Sequence, residues 1–451
     1  MKYNPTLYKL SNGITVILDP MGCEITDVMV HFSTGSRDES PEQYGITHFC
    51  EHMFCKGTQR FPTSKDIKEF IEYNGGYSNA STSPSDLKFY GRIIGENLDK
   101  LIELLSDELQ NSLFDSNRIE LERIVILDEL RRAQDKGTRV YSDFMSRKLF
   151  GYSGFQTLGT EQNIKSFTRK QLMDWAAKRL SAKNCTIVIS GKISHPDKVL
   201  KQLEAGFAFL PTHNVSCNKE EKYTPAIAHQ SISQLKSETL DILIPCRFGP
   251  EKSHMLERMC ELRLKKYLRD ELHEELRQKH GLVYSVSTGL FGRQEKGLHT
   301  IGTECSVQYL PKIVELIAKT CARINSDMPI TDEWLRRFEA SCLLGDAEWF
   351  DSSKNRLGAL LHEYVQNGEL YDRDAVIKTS RGITSADIRK YASGIFDEPI
   401  SIITHGPDYD ADLGEIWKQN FPDSNIKPAI SQYKIETARK KTGNEGKDKC
   451  R

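Results

Sequence analysis

The sequence predicts an α+β protein built from two homologous domains, each a mainly antiparallel sheet packed with long helices. Three observations carry that prediction. The chain has 451 residues, too many for one hydrophobic core and suited to two domains of roughly 150 to 220 residues each. Two stretches resemble each other: "SFTRKQLMDWAAKRLSAKNCTIVISG" (166 to 191) and "GITSADIRKYASGIFDEPISIITHG" (382 to 406). Each reads as a Thr- or Ser-capped helix carrying an aromatic, Trp175 or Tyr391, followed by Ala, and then a β-rich strand ending in Gly; a duplicated domain is the simplest account, the alternative being chance recurrence of helix-then-strand units in a mixed protein. Finally, strand-like runs lie close together in sequence between long amphipathic helices, a pattern that favours antiparallel pairing.

Taken in order, "LYKL", the Asn-Gly turn in "SNG" and the β-branched run "ITVIL" predict a hairpin within the first twenty residues. The first domain is expected to span residues 1–212. A polar, turn-rich stretch, "LPTHNVSCNKEEKYTPAIAHQ", predicts a linker over 213–230, and the second domain follows over 231–428. That domain opens with β-type "SISQLKSETLDILIPC". It continues through a long amphipathic helix from Ser253 to Lys279, a strand at "LVYSVSTGLF", and helices over Leu310 to Asn325 and Thr331 to Trp349. The last residues, 429–451, include "KIETARKKTGNEGKDKCR", with seven basic and three acidic side chains and little to bury, which predicts a disordered tail.

Lys and Arg total 62 against 63 Asp and Glu, so no dominant sign of charge steers the protein onto nucleic acid or an anionic membrane. No window approaches the roughly 18 to 20 apolar residues of a membrane span, and the start has neither an apolar signal core nor an Arg-rich presequence. The eleven cysteines are odd in number and form no C-x-x-C pair. Free thiols in a reducing compartment follow, and a cytoplasmic location is the expectation.

One stretch stands apart from this ordinary composition. "GITHFCEHMFCKGT" reads as a helix, and at about 100° per residue His48, Glu51 and His52 fall on one face. Two imidazoles one turn apart can share a metal ion, and a glutamate between them can reach a water on that ion. Imidazole and carboxylate ligands with an open position suit zinc. The same spacing also fits two surface histidines on an amphipathic helix. Cys50 points away from the pair and reads as core. Cys55, seven residues after His48, returns to nearly the same face; it could complete a His/Cys site or simply continue the apolar side of the helix.

A further ligand is needed, and "NRIELERIVILDELRR" (117 to 132) offers Glu122 and Glu129, two turns apart on one face with Val125 and Ile126 between them. Carboxylates bordering buried surface need a partner, and a metal is one. The alternative is a surface helix salt-bridged through Arg118, Arg123, Arg131 and Arg132.

With both motifs in view, the chain resembles the pitrilysin/insulinase family of inverted-motif zinc peptidases, in the branch of the mitochondrial processing peptidase beta subunit and its bacterial relatives. The likeness covers nearly the whole chain. "GITHFCEHMFCKGT" resembles the family's zinc helix and "ERIVILDEL" its second motif, 77 residues separating His52 from Glu129. "NGGYSNASTS", "TLGTEQNIKSFT" and "ELRQKHGLVYSV" resemble three further family segments in the proper order.

The resemblance implies a zinc-dependent endopeptidase with one zinc per chain, hydrolysing short or unfolded polypeptides. His48, His52 and Glu129 would be the ligands, and Glu51 the general base acting on a metal-bound water. Glu122 would orient a ligand histidine without touching the metal. Arg277 and Tyr284 would hold the substrate carbonyl and the oxyanion formed on it. Asn79 would bind substrate backbone, and an edge strand near Ala80 would accept the substrate by strand addition. Taken alone, Arg277 reads as a solvated helix charge and Tyr284 as a half-buried strand aromatic.

The resemblance further implies a homodimer, or a heterodimer with a related subunit. A presequence-processing subunit shares the same chemistry, and a non-catalytic scaffold subunit is the reading from another class; the intact His48, Glu51, His52 and Glu129 stand against the scaffold. The chain departs from the family pattern at His280, where Arg is usual, and at "PSDLKFY" after "NASTS", both on the substrate side. The second half offers His273 and Glu274 but no histidine at helix-face spacing, so that domain should be metal-free.

Overall fold

The computed structural model of the chain describes residues 3–151, 156–216, 223–247, 255–293, 296–326 and 330–426. The expected tail and part of the expected linker, 217–222, lie outside the described residues. The first half of the chain forms β1 (Thr6–Lys9), β2 (Thr15–Pro20), β3 (Ile25–Phe32), α1 (Ile46–Phe54), α2 (Ser64–Tyr73), β4 (Gly76–Thr82) and β5 (Leu87–Ile94). It continues through α3 (Leu98–Asn111), α4 (Ser116–Asp135), α5 (Gly137–Phe150), α6 (Glu161–Ser166), α7 (Arg169–Arg179), β6 (Cys185–Gly191) and α8 (Pro196–Gly206). The second half forms β7 (Ile227–Ser231), β8 (Glu238–Arg247), α9 (Met255–His273), β9 (Val286–Arg293), β10 (Lys296–Cys305) and α10 (Leu310–Ser326). It ends with α11 (Asp332–Phe350), α12 (Ser353–Asn367), α13 (Arg373–Gly382), α14 (Ser385–Phe396), β11 (Ser401–Gly406) and α15 (Leu413–Asn420).

The duplication predicted from the helix-then-strand stretches is visible in the pairing of the strands. The first sheet has the order β1-β2-β6-β3-β5-β4 and the second β7-β11-β8-β10-β9. In the first, β6 lies parallel to β2 and antiparallel to β3. In the second, β11 lies parallel to β7 and antiparallel to β8. Thus α7–β6 and α14–β11, the two stretches that look alike in sequence, deliver the equivalent central strand to each sheet.

By its contacts the chain divides into two compact units that are not contiguous in sequence. One comprises Met1–Thr224, Arg247–Arg263 and Ile330–Ile388, the other Pro225–Cys246, Leu264–Pro329 and Arg389–Arg451. A division by chain order, 1–212 against 231–428, does not anticipate this, and the stretch expected as linker already contains β7 from Ile227.

The reason lies in the two faces of the first sheet. Val16 and Leu18 of β2, with Ile187 and Ile189 of β6, belong to the main core beneath α1, α3 and α7. Ile17 and Val188 point the other way, and α12 covers them with Leu357, Leu360 and Leu361. Each such buried leucine contributes about 2 kcal/mol. Polar bonds fix the register of α12 on the strands. The Arg356 guanidinium grips the fully buried Asp19 carboxylate with two nitrogens, the Nε contact at 2.8 Å. Ser353 Oγ donates to Asp27 Oδ2 at 2.5 Å, and Tyr364 and Thr15 share a hydroxyl bond of 2.9 Å.

In the second unit, α10 buries Ile313, Val314, Ile317 and Cys321, and α15 contributes the fully buried Trp417. After α9 the helix widens into a six-residue π-helical segment, Glu274–Lys279. Nine cysteines lie among the described residues and all are free thiols. Among the described residues no helix is long and apolar enough to cross a membrane.

Candidate metal centre

At nine residues, α1 is too short to hold itself in water, so its geometry comes from what it buries and what anchors its start. Ile46, Phe49, Cys50, Met53 and Phe54 are buried. Phe49 stands edge-on to Phe167, and Phe54 to both Phe89 and Phe114. At the helix start the buried Glu39 carboxylate accepts the backbone N–H of Gly45 at 2.8 Å and of Thr47 at 2.9 Å, and Trp175 Nε1 donates to Thr47 Oγ1 at 3.1 Å. Gly45 has a φ of 95° and lies against Gly159, where a Cβ would come within 2.6 Å of the Gly159 Cα. "TLGTEQN" thus serves α1 by letting two backbones meet.

With the apolar side fixed, His48, Glu51 and His52 share the opposite face. On α4, capped by Asp115, Ile119, Ile126 and Leu130 are buried, and Glu122 and Glu129 face α1. Val125 differs from the sequence expectation: it is 49% exposed, because burial on this helix follows Ile119, Ile126 and Leu130 and leaves its neighbour outside. Arg123 and Arg132 pair with Glu120 and Asp128, not with the site glutamates.

His48 Nε2 lies 3.6 Å and His52 Nε2 3.8 Å from Glu129 Oε2, and the three ligand atoms all lie within 4.8 Å of one another. Two atoms each about 2.0–2.1 Å from one tetrahedral ion stand about 3.4 Å apart, so small shifts would let these three atoms hold a single metal ion. Among the described residues no other trio of His, Cys, Asp or Glu side chains converges in this way.

The state of each imidazole fits the same conclusion. His48 Nδ1 is buried without a hydrogen-bond partner, while its Nε2 faces Glu129. Burial, reinforced by the neighbouring His52, pushes the His48 pKa down to about 3, which keeps a lone pair free for a metal. His52 Nδ1 lies 2.9 Å from Glu122 Oε2; an N–H donated there leaves Nε2 as the free lone pair, aimed toward Glu129. Lys56 Nζ lies 3.1 Å from the other Glu122 oxygen. Burial alone would raise the Glu122 carboxyl, but the bonds from His52 and Lys56 outweigh it and hold it below the usual range.

Glu51 accepts a hydrogen bond from Thr82 Oγ1 at 2.5 Å. Burial raises its pKa, the Thr82 bond and the charge of His52 oppose the rise, and Glu129 adds to it. A carboxylate more basic than usual is suited to taking a proton from water. Cys55 packs against the main core, and burial raises its thiol well above the ordinary value. Cys55 is not among the three side chains that converge. Cys50 is core, its thiol donating to the Leu172 carbonyl.

Asn79 and Ala80 lie on β4, the edge strand of the first sheet. Asn79 is exposed and Ala80 buried, and the Ala80 N–H is met by the Asn79 side-chain oxygen at 2.9 Å. Arg277 and Tyr284 belong to the second compact unit, where the Arg277 guanidinium carbon lies 4.9 Å from the Tyr284 ring centre. Tyr284 is not a half-buried strand residue: it is 82% exposed in a bend ahead of β9. The chain leaves the π-helical segment through Gly281 at φ 60°, and the Leu282 N–H closes onto the Leu276 carbonyl, so the strand starts later. Sequence reasoning missed Glu39, Lys56 and Thr82. Glu39 sits in a polar loop and gives no sequence signal, while Lys56 and Thr82 adjoin recognisable motifs.

Two histidines and a glutamate whose ligand atoms lie within 4.8 Å of one another form a donor set that could hold one metal ion. The chain belongs to the insulinase family, peptidase family M16: its model "Insulinase (Peptidase family M16)" matches residues 20–158 and "Peptidase M16 inactive domain" matches residues 166–338. A protein of Rickettsia bellii named an uncharacterized zinc protease is 27% identical over 416 residues, covering 90% of this chain and 98% of that protein. The mitochondrial-processing peptidase subunit beta of Dictyostelium discoideum is 35% identical over 209 residues, 46% of this chain and 44% of that protein. In fold, the chain is similar to the periplasmic protease PqqL from Escherichia coli, with a TM-score of 0.79 at 14% identity, covering 96% of this chain and 51% of that one.

Proposed function

We propose that this protein is a zinc-dependent endopeptidase that hydrolyses short or unfolded polypeptides. The observation that carries the reading is the convergence of His48, His52 and Glu129, with Glu122 fixing the tautomer of His52. These three side chains hold one zinc per chain. A bound zinc supplies Lewis acidity, making water more acidic and a carbonyl more electrophilic.

The rest is done by the chain's own residues. Glu51 takes the proton of the attacking water and delivers it to the departing amine. Arg277 and Tyr284 bind the substrate carbonyl and the oxyanion that develops on it. Asn79 and the open edge of β4 near Ala80 hold the substrate as an added strand, which favours extended, unfolded chains. The free cysteines suit a cytoplasmic location. Pairing with a second copy or a related subunit is supported by a relative named as a subunit and by a fold relative about twice this length.

A purified sample should carry about one zinc per chain, and chelation should stop cleavage of an unstructured peptide. Glu51→Gln should keep the zinc and lose roughly 10²- to 10⁴-fold in rate. Full activity in that variant would sink the mechanism. A second reading, removal of presequences from other proteins, shares every residue role and is favoured by the likeness to processing peptidase beta. A presequence peptide cleaved at one bond, where a scrambled peptide is cut at many, would select it.

A further inference from the structure

We propose that Thr82 is a positioning residue for the proton-transferring carboxylate of Glu51, and that it ties the orientation of that carboxylate to the strand on which substrate docks. The inference rests on the peptidase reading above. Its basis is one contact and the element that delivers it. Thr82 is the last residue of β4, and its hydroxyl donates to Glu51 Oε2 at 2.5 Å.

The donor is held firmly. Thr82 pairs with the buried Leu87 across the sheet, and a β-branched side chain on a strand has little freedom at χ1. Along β4, side chains alternate, so Thr82 shares a face with Ala80, which is buried toward α1, while Asn79 lies on the other face. Glutamate, by contrast, has three side-chain torsions and a carboxylate that can swing. Holding Oε2 on Thr82 restricts the rotation of that carboxylate.

The position of β4 gives the contact a second meaning. Its far edge carries no neighbouring strand among the described residues. A peptide strand added to that edge bonds to the same backbone that aims the Thr82 hydroxyl, so docking and base orientation share one rigid element. The Thr82 backbone N–H also interacts with the Glu51 carboxylate, so removal of the hydroxyl loosens the carboxylate and leaves the backbone contact in place.

The test uses the full-length, zinc-loaded protein and a fluorogenic unstructured peptide. Thr82→Val keeps shape and deletes the hydroxyl; Thr82→Ser keeps the hydroxyl. Thr82→Val should lower kcat about tenfold or more with KM within about twofold of wild type, and Thr82→Ser should restore most of the rate. Zinc affinity, measured by competition with a chromophoric chelator, should not change. In a Glu51→Gln background, Thr82→Val should leave peptide binding by fluorescence anisotropy unaltered. The inference is overturned by an unchanged kcat in Thr82→Val, by a Thr82→Ser variant equally impaired, or by a change confined to KM and peptide affinity. A wild-type protein that binds zinc and cleaves no peptide removes the peptidase reading and this inference with it. An active wild type with an unaffected Thr82→Val removes only the inference.

Discussion

One carboxylate, Glu122, lies 2.9 Å from Nδ1 of His52 through one oxygen and 3.1 Å from Nζ of Lys56 through the other. The pair fixes which nitrogen of His52 carries the proton, and so which one is free for zinc. Glu122→Gln can present its amide N–H to His52 as readily as its oxygen and no longer raises the basicity of the ring. Zinc affinity should fall roughly 10- to 100-fold, read by competition with a chromophoric chelator at constant pH.

Removal of a ligand and of a bystander should separate cleanly. His48→Ala deletes one of the three converging atoms and should abolish stoichiometric zinc. Cys55→Ala should keep zinc, because Cys55 packs against the core and is not one of the converging side chains. Metal analysis of both variants checks the assignment; zinc retained by His48→Ala would move the ligand set toward Cys55.

The buried ion pair between Arg356 and Asp19 predicts an asymmetric mutational cost. Arg356→Met strands an unpaired carboxylate in the sheet and should destabilise the protein by about 3–5 kcal/mol. The double variant Asp19→Asn with Arg356→Met should recover most of that loss. Urea unfolding of the single and double variants, compared at one pH, provides the check.

Glu108, buried on α3, gives a pH signature. Burial, reinforced by Asp107, pushes its carboxyl up to about 8 from 4.5. Between those values the folded protein holds a proton that the unfolded chain has released, so the stability this group provides is complete below pH 4.5 and is lost as pH rises through 8. Glu108→Gln should flatten the fall in stability between pH 5 and 8 by on the order of 3 kcal/mol, measured by denaturant midpoints across that range.

What the sequence discloses depends on how local the signal is. His48, Glu51 and His52 are legible because helical period alone puts them on one face, and α4 is legible for the same reason. Helix period cannot say which of Glu122 and Glu129 is the ligand, since both lie on the face toward α1; the choice comes from family resemblance and from the distances to His48 and His52. Glu39 is invisible because nothing near it in sequence shows that its loop is buried. The partner of the rear sheet face is half legible. "ITVIL" and "CTIVISG" are apolar at successive positions, as strands covered on both faces are, yet no local pattern names α12, more than 160 residues further on, as the cover.

That distance matters while the chain is being made. β2 and β6 are complete when residue 191 has been synthesised, but α12 begins only at Ser353. At bacterial or eukaryotic elongation rates of about 5–20 residues per second, the gap lasts roughly ten to thirty seconds. Through that interval the nascent first sheet presents Ile17 and Val188 to water, and Asp19 waits without its guanidinium. Ribosome-bound chaperones therefore meet a sheet finished on one side and bare on the other, and the stage most exposed to aggregation ends when the helix beginning at Ser353 emerges.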